Sequence, residues 1–213
     1  MESIVIVGCG ELGSLVFEFL SNDPLYQVAG FAVEREYLND STCCSRPVVD
    51  LEKLPDIYPS DRHHLFVAIY SNAERKRVFL KCREMGYHFL TYKSPTAAVS
   101  PSARLGENVI VMENSSVQYR AAIGDNTFIW NGVNICHSAE IGENSWIAPG
   151  ATIAGMSAIG NESFIGANAT VKDRINIVGN NTVGAGAVVV KPIDDSNGIY
   201  TGCPARLLKR VVV

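Results

Sequence analysis

The 213-residue chain contains no uninterrupted apolar run near the ~20 residues that a membrane-spanning helix needs, so no membrane partner is expected. Met1 to Val7 is followed at once by Gly8, too short an opening for a secretory leader. There is no long basic block either. Lys and Arg number 18 against 22 Asp and Glu, a net charge of −4, which argues against nucleic acid as a main partner. The six cysteines (Cys9, Cys43, Cys44, Cys82, Cys136, Cys203) have no zinc-type spacing, and the adjacent pair Cys43-Cys44 is a poor metal clamp. These absences together read as reduced thiols in a cytoplasmic protein with no metal. Histidine is scarce: of four, His63, His64 and His88 precede the stretch described next, and His137 alone lies within it. What the chain has in quantity is apolar residues, 47%, and 18 glycines, enough for a sizeable core and many tight corners.

From Ala98 to Ile193 the sequence falls into sixteen lines of six residues without an insertion. The second position of every line is Val, Leu or Ile, from Val99 through Ile135 and Ile153 to Val189, and the sixth is mostly small, as at Ala121, Ala139, Ser145 and Ala169. A helix repeats near 3.6 residues and a strand alternates at two, so neither fits as a long element. A coil of three short strands joined by tight corners does fit, with the aliphatic residue pointing inward. Gly, Asn and Asp recur near the corners (Gly106, Gly124-Asp125-Asn126, Gly142, Gly160-Asn161), where positive φ or tight turns are expected. Three lines make one coil, so residues eighteen apart stack at about 4.8 Å, and the sixteen lines give about five coils. Phe128, Trp146 and Phe164 share that offset and should form an aromatic column on one outer edge.

The part before the repeats reads as a small α/β domain. Ser3 to Val7 is a buried strand, followed by Gly8-Cys9-Gly10-Glu11-Leu12-Gly13, a G-x-G-x-x-G turn. Leu12, Leu15, Val16, Phe19 and Leu20 give the next helix its apolar stripe, Asn22-Asp23-Pro24 ends it, and Tyr26 to Val33 is a second strand closing at Glu34. This is a dinucleotide-type opening, in which glycines admit the backbone to a ligand and a helix N-terminus faces an anion. Arg35 to Pro47 reads as an irregular surface loop and Val48 to Leu54 as a short strand with a helical turn. Leu65 to Tyr70 is the next strand. Ser71-Asn72 caps a helix from about Ala73 to Met85, with Arg75, Lys76, Arg77, Lys81 and Arg83 mostly solvated, and Phe89 to Tyr92 is a last strand. The expected division is residues 1–95 for this Rossmann-like, parallel-sheet domain and 96–213 for the repeats with a C-terminal tail. Four or five strands leave room for one nucleotide more readily than two.

The repeats resemble the left-handed parallel β-helix of the hexapeptide-repeat acyltransferases. Joined to the glycine-turn domain, the chain is similar to the bacterial family of sialic-acid O-acetyltransferases and nucleotide-activated amino-sugar N-acetyltransferases. The resemblance also rests on Phe66-Val67-Ala68-Ile69 followed by Asn72 and Arg75, on Ser94-Pro95, on Ala148-Pro149-Gly150-Ala151, and on the ending Gly202-Cys203-Pro204-Ala205-Arg206. It implies the handedness of the coil, a homotrimer with active sites between subunits, acyl-CoA as co-substrate, and a dTDP- or UDP-linked amino sugar as acceptor. It places the nucleotide sugar on Gly8, Cys9, Gly10, Glu11, Leu12, Gly13 and Glu34, with Ser71 and Asn72. It places the CoA and acyl group along Trp146, Ala148, Gly155, Gly166, Gly184 and Ala185.

The family's general base is a histidine in an H-x-x-x-I-G pattern, which His137 with Ile141-Gly142 matches. Imidazole titrates near neutrality and can take the proton an attacking amine must lose. The resemblance assigns the oxyanion-holding amide to Gly155, one coil above His137. The chain departs from the family around this base. The neighbouring acids are Ser138 and Cys136, a second histidine nine residues on is Trp146, and an asparagine seven residues before is Trp130. Glu140 or a neighbouring subunit would then orient the imidazole, and the pocket would suit another sugar isomer or an acyl group larger than acetyl, such as 3-hydroxybutyryl. Cys136 and His137 point apart, so a Cys-His dyad is not expected. The expected function is N-acylation of a nucleotide-linked amino sugar. The alternatives are O-acetylation of a sugar such as sialic acid, or a non-catalytic nucleotide-sugar sensor or scaffold.

Overall fold

The computed structural model describes residues 1–211, which divide into two compact units, Met1–Leu90 and the chain from Thr91 onward. The division falls before Tyr92 because Tyr92–Lys93 pairs in parallel with Ile110–Val111 of the repeats. The strand expected over Phe89 to Tyr92 is therefore not formed as such. Phe89 makes only an isolated bridge to Leu65, and the next strand belongs to the second unit.

The first unit is a five-stranded sheet of order β3-β4-β2-β1-β5, made of β1 (Glu2–Val7), β2 (Tyr26–Val33), β3 (Thr42–Cys43), β4 (Arg46–Asp50) and β5 (His64–Val67). All pairs are parallel except the β3–β4 hairpin. β1 lies between β2 and β5, which explains its unbroken apolar run, and Ile4, Val5 and Ile6 are fully buried. Helix α1 (Glu11–Asn22) buries Leu12, Gly13, Val16 and Leu20, one face of the expected stripe. Helix α2 is a single turn, Leu54–Ile57. Helix α3 (Asn72–Glu84) opens with the Ser71 hydroxyl accepting from the Glu74 N–H at 3.4 Å.

Two expectations are corrected in this unit. The segment 35–47 is not wholly irregular. Its hairpin turns on Cys44 and Ser45, both at positive φ (49° and 61°), a primed turn built without the Asn-Gly that signals one in a sequence. Arg75 is not solvated but fully buried. Burial pulls its guanidinium down, and the group is held by the carbonyls of Ile69 (3.0 Å) and Tyr70 (3.3 Å) and by Asn72 Oδ1 (2.9 Å). A buried charge needs such partners, and here they tie the turn between β5 and α3.

The second unit is a left-handed parallel β-helix. Sixteen two-residue strands, from Ala98–Val99 to Val188–Val189, occupy the first two positions of the sixteen lines. Residues eighteen apart are in register, as in Asn134 with Thr152 and Ile135 with Ile153. The strands stack into three faces. The first contains Ser116–Val117, Asn134–Ile135 and Thr152–Ile153, the second Ala122–Ile123 and Glu140–Ile141, and the third Phe128–Ile129 and Trp146–Ile147. The second-position aliphatics form one buried core with small sixth-position residues such as Ala121, Ala139 and Ala169. Gly198–Thr201 extends the third face, and Arg206–Arg210 folds back on it antiparallel.

The corners turn at the fifth residue of each line, which has positive φ from Asn108 to Gly186. On the edge between the second and third faces this residue builds a buried ladder: Asn108 donates to Asn126 (2.7 Å), which donates to Asn144 (2.8 Å). Glycines such as Gly124 have another cause than the one expected. Gly124 is not at positive φ, but a Cβ there would lie 2.6 Å from the Glu143 amide of the next coil. Of the expected aromatic column, Phe128 and Trp146 are buried and pack at 5.5 Å between centroids, while Phe164 is partly exposed. Among the described residues no helix is long and apolar enough to cross a membrane.

Candidate active site

The first unit carries a cavity of about 440 Å³ at the C-terminal ends of β1, β2 and β5. Its lining includes Gly8 to Leu12, Val33, Glu34, Tyr37, Asn39, Ala68 to Tyr70, Glu74 and Arg77. A crevice at these strand ends is where an open parallel sheet takes its ligand. Packing requires two of the three glycines of the turn, for different reasons. Gly8 has φ +112°, and a Cβ on it would lie 2.6 Å from the Ala68 carbonyl oxygen. A Cβ on Gly13 would lie 2.1 Å from the Gly8 carbonyl oxygen, so it allows the helix to close on the turn. A Cβ on Gly10 would meet nothing within 4 Å. Packing does not require that glycine, and the open space beside it adjoins the N-terminus of α1, where Gly10 is an N-cap without a side-chain hydrogen bond.

Glu34 stands at the cavity rim with its side chain largely covered (19% exposed) and gripped by Arg77, whose Nη1 and Nη2 donate to its two oxygens at 2.9 and 2.5 Å. Arg77 also donates to Glu74 at 2.7 Å, and Lys81 lies 3.5 Å from Glu34. The Arg77 hydrogen bonds hold the Glu34 carboxyl below its ordinary range, so it is an anion with part of its accepting capacity already used. Ser71 and Asn72 are not among the lining residues. Their side chains cap α3 and hold Arg75. Cys9 is half-buried, and its carbonyl accepts a weak bond from the Cys43 thiol at 3.6 Å.

In the second unit His137 projects from the edge between the first and second faces and is exposed. Its ring leans over Gly155 of the next coil. A Cβ at Gly155 would lie 2.5 Å from His137 Nε2 and 2.6 Å from Cε1, so only glycine leaves this ring its place. The Gly155 N–H has no acceptor among the described residues. An unoccupied N–H and an imidazole nitrogen thus lie side by side. The imidazole itself makes no hydrogen bond among the described residues, and Glu140 does not reach it. Burial pushes the Cys136 thiol up, away from thiolate at neutral pH.

This edge differs from the other two in its fifth-position residues. Elsewhere they are Asn or Gly apart from Glu162, whereas here they are Arg120, Ser138, Met156 and Arg174, all at φ between 55° and 61°. A residue other than Gly, Asn or Asp in this conformation costs ~1–2 kcal/mol. That strain concentrated on one edge is the signature of a surface kept for what it presents. The signal was legible in the lines of six, and sequence reasoning missed it.

Ala148, Gly166 and Gly184 stack in one column at the edge between the third and first faces, with Ala185 exposed beside Gly184. A Cβ on Gly166 would lie 2.5 Å from the Ala185 amide, so coil packing alone requires that glycine. Trp146 is 9% exposed and stacks on Trp130 at 5.1 Å, and the buried Trp130 Nε1–H has no acceptor among the described residues. This column and the His137–Gly155 pair occupy different edges of the same prism. Among the described residues no three His, Cys, Asp or Glu side chains gather as a metal cluster would.

Residues 102–137 and 138–173 match the bacterial transferase hexapeptide family of six repeats. Perosamine N-acetyltransferase from Caulobacter crescentus, solved as a histidine-to-asparagine variant with CoA and GDP-perosamine, is similar over 98% of each chain, at 31% identity and a TM-score of 0.88. The acetyltransferase domain of PglB from Neisseria gonorrhoeae is similar over 98% of this chain and 100% of its own, at 26% identity and a TM-score of 0.86. Its complex with acetyl coenzyme A matches at 25% identity over 97% and 99%, with a TM-score of 0.78. No curated protein sequence matches the chain significantly.

Proposed function

This chain belongs to the bacterial hexapeptide-repeat transferases, in one family with the Caulobacter perosamine N-acetyltransferase, and on that footing we propose that it moves an acyl group from acyl-CoA to the amine of a nucleotide-linked amino sugar. The observation that carries the chemistry is the His137–Gly155 pair, an imidazole nitrogen beside a glycine whose N–H has no acceptor among the described residues. The acceptor nitrogen attacks the thioester carbonyl carbon, and the carbonyl electron pair moves onto oxygen, where the Gly155 N–H holds it. His137 Nε2 takes the proton from nitrogen. Collapse expels the CoA sulfur, which receives a proton, and an amide remains. Nε2 is unprotonated at the start, so the ring carries its hydrogen on Nδ1.

The nucleotide occupies the 440 Å³ cavity, with a phosphate in the open space at Gly10 and Glu34 toward the ribose or base. Acyl-CoA follows the Ala148–Gly166–Gly184 column with Trp146 as a wall. That column and His137 lie on different edges, so a site built from both needs a second copy of the chain, which supports a homotrimer. Light scattering would give three times 23.1 kDa for a trimer, and a monomer mass with full activity would exclude a shared site. Six free cysteines suit a reducing, cytoplasmic setting.

The deciding experiment is release of free CoA thiol from acetyl-CoA and 3-hydroxybutyryl-CoA, each with GDP-perosamine and with UDP- and dTDP-linked 3-amino and 4-amino sugars. A protein-only blank corrects for the six cysteines. Turnover with one pair, lost in His137→Ala and unchanged by EDTA, is the expected result. Nucleotide-sugar binding without CoA release from any pair would refute the acyl-transfer reading.

A further inference from the structure

The His137 imidazole has no hydrogen-bond partner among the described residues, yet its main chain is fixed on both sides. The His137 carbonyl accepts from the Met156 N–H at 3.0 Å in the coil above. Its N–H donates to Gln118 Oε1 at 3.2 Å in the coil below. On the edge between the second and third faces such a brace also occurs, as where the Glu107 and Glu143 N–H donate to Asp125 and Asn161 Oδ1 at 2.9 and 3.0 Å, but along the edge of His137 it is found at this corner alone among the described residues. Backbone hydrogen bonds between coils run from the first, third and fifth N–H of each line, as for Asn134, Cys136 and Ser138, and pass over the fourth, which only a side chain then satisfies. At the equivalent fourth positions Tyr119, Gly155 and Asp173, no side chain accepts from the N–H among the described residues.

We propose that Gln118 is the positioning residue for His137, pinning the peptide from which the imidazole projects. The inference rests on His137 being the base. The next residue, Ser138, is at φ 56°, a strained conformation for serine, so this peptide needs an anchor to hold its direction. With the peptide held at both ends, the Cα–Cβ bond of His137 is aimed at Gly155, and the ring needs no neighbouring acid to find its place. Gln118 acts through the His137 main chain, and its role is purely geometric.

The test compares Gln118→Leu, which has no acceptor, with Gln118→Glu, which keeps one, beside His137→Ala. A misplaced catalytic group costs up to about 100-fold. Gln118→Leu should therefore lose about 10- to 100-fold in kcat with both KM values unchanged. Gln118→Glu, which keeps an acceptor for the His137 N–H, should keep most of kcat. A merely structural role would not show a kcat loss at unchanged KM that an acceptor alone restores. Independently of turnover, amide hydrogen exchange at His137 should quicken in Gln118→Leu and return in Gln118→Glu. Wild-type kcat or unchanged exchange in Gln118→Leu overturns the proposal while an inactive His137→Ala leaves the base in place. A fully active His137→Ala overturns both.

Discussion

Gly155→Ala tests the active-site geometry with one methyl group. The added Cβ would lie 2.5 Å from His137 Nε2, 2.6 Å from Cε1 and 3.0 Å from Cδ2. The ring cannot stay. It belongs to an exposed side chain, so it can swing into solvent at little cost, and the Gly155 backbone is outside the positive-φ region. Alanine also restricts the unfolded chain, which is worth ~0.4–1 kcal/mol to the fold. Stability should be unchanged or slightly raised. Activity should fall to the level set by loss of the base, about 100- to 10,000-fold in kcat. The assay is CoA-thiol release, with thermal unfolding as a control that should not fall and nucleotide-sugar calorimetry as one that should not move. The double variant Gly155→Ala/His137→Ala should be no slower than His137→Ala, since both changes remove the same group. Wild-type kcat in Gly155→Ala would refute the placement of the imidazole, and additive losses would show that Gly155 acts apart from it.

Three further outcomes follow from contacts in the two units. Gly10→Ala should weaken nucleotide-sugar binding at least about tenfold without lowering Tm, since the methyl enters open space; Gly13→Ala should lower Tm, because its Cβ would lie 2.1 Å from a backbone oxygen and force a shift of ~1–3 kcal/mol. Glu34 is held below its ordinary carboxyl range by Arg77, so its contribution is present above the unfolded value and disappears as pH falls through the folded one. Denaturant titrations of wild type and Glu34→Gln should then differ by ~0.5–1 kcal/mol near pH 7, since Arg77 is half exposed, and converge once the pH has fallen below the lowered folded value. Asn126→Ala should cost ~3–5 kcal/mol in urea unfolding, from a strained alanine plus buried partners at Asn108 and Asn144 left unmatched, while Asn126→Gly recovers the strain alone.

The β-helix was legible because one inward aliphatic per six residues is a packing rule written directly in the chain, and each strand begins where its line begins. The corners were read less well. Corner Asn, Asp and Gly point to positive φ or tight turns, but Gly124 answers to a backbone one coil away, a distance the local sequence does not display. Arg75 was placed in solvent for a related reason. A charged residue on a helix defaults to the outside, and the acceptors that bury this one are carbonyls of a turn, which have no letter of their own. The hairpin through Cys44 and Ser45 escaped because its turn lacks the residues that announce one. Gln118 escaped because its partner is nineteen residues on, one coil plus one, an offset that matters only once the coil has closed.

The active edge is set apart by what it gives up. A β-helix corner is cheapest with Asn or Gly at the fifth position, and two edges of this prism follow that rule with a single exception, Glu162. The third departs from it at Arg120, Ser138, Met156 and Arg174, beside the one histidine of the prism and the one side chain, Gln118, that braces a fourth-position N–H at that corner. Three long side chains there, at ~1–2 kcal/mol each, are a stability cost that a purely structural edge has no reason to carry. Replacing Arg120, Met156 and Arg174 together by Asn should therefore stabilise the fold, raising the urea midpoint at unchanged m-value, while turnover or substrate affinity falls. Greater stability with undiminished activity would mean that the edge is strained for no purpose in catalysis, and the reading of it as the substrate-facing edge would fail.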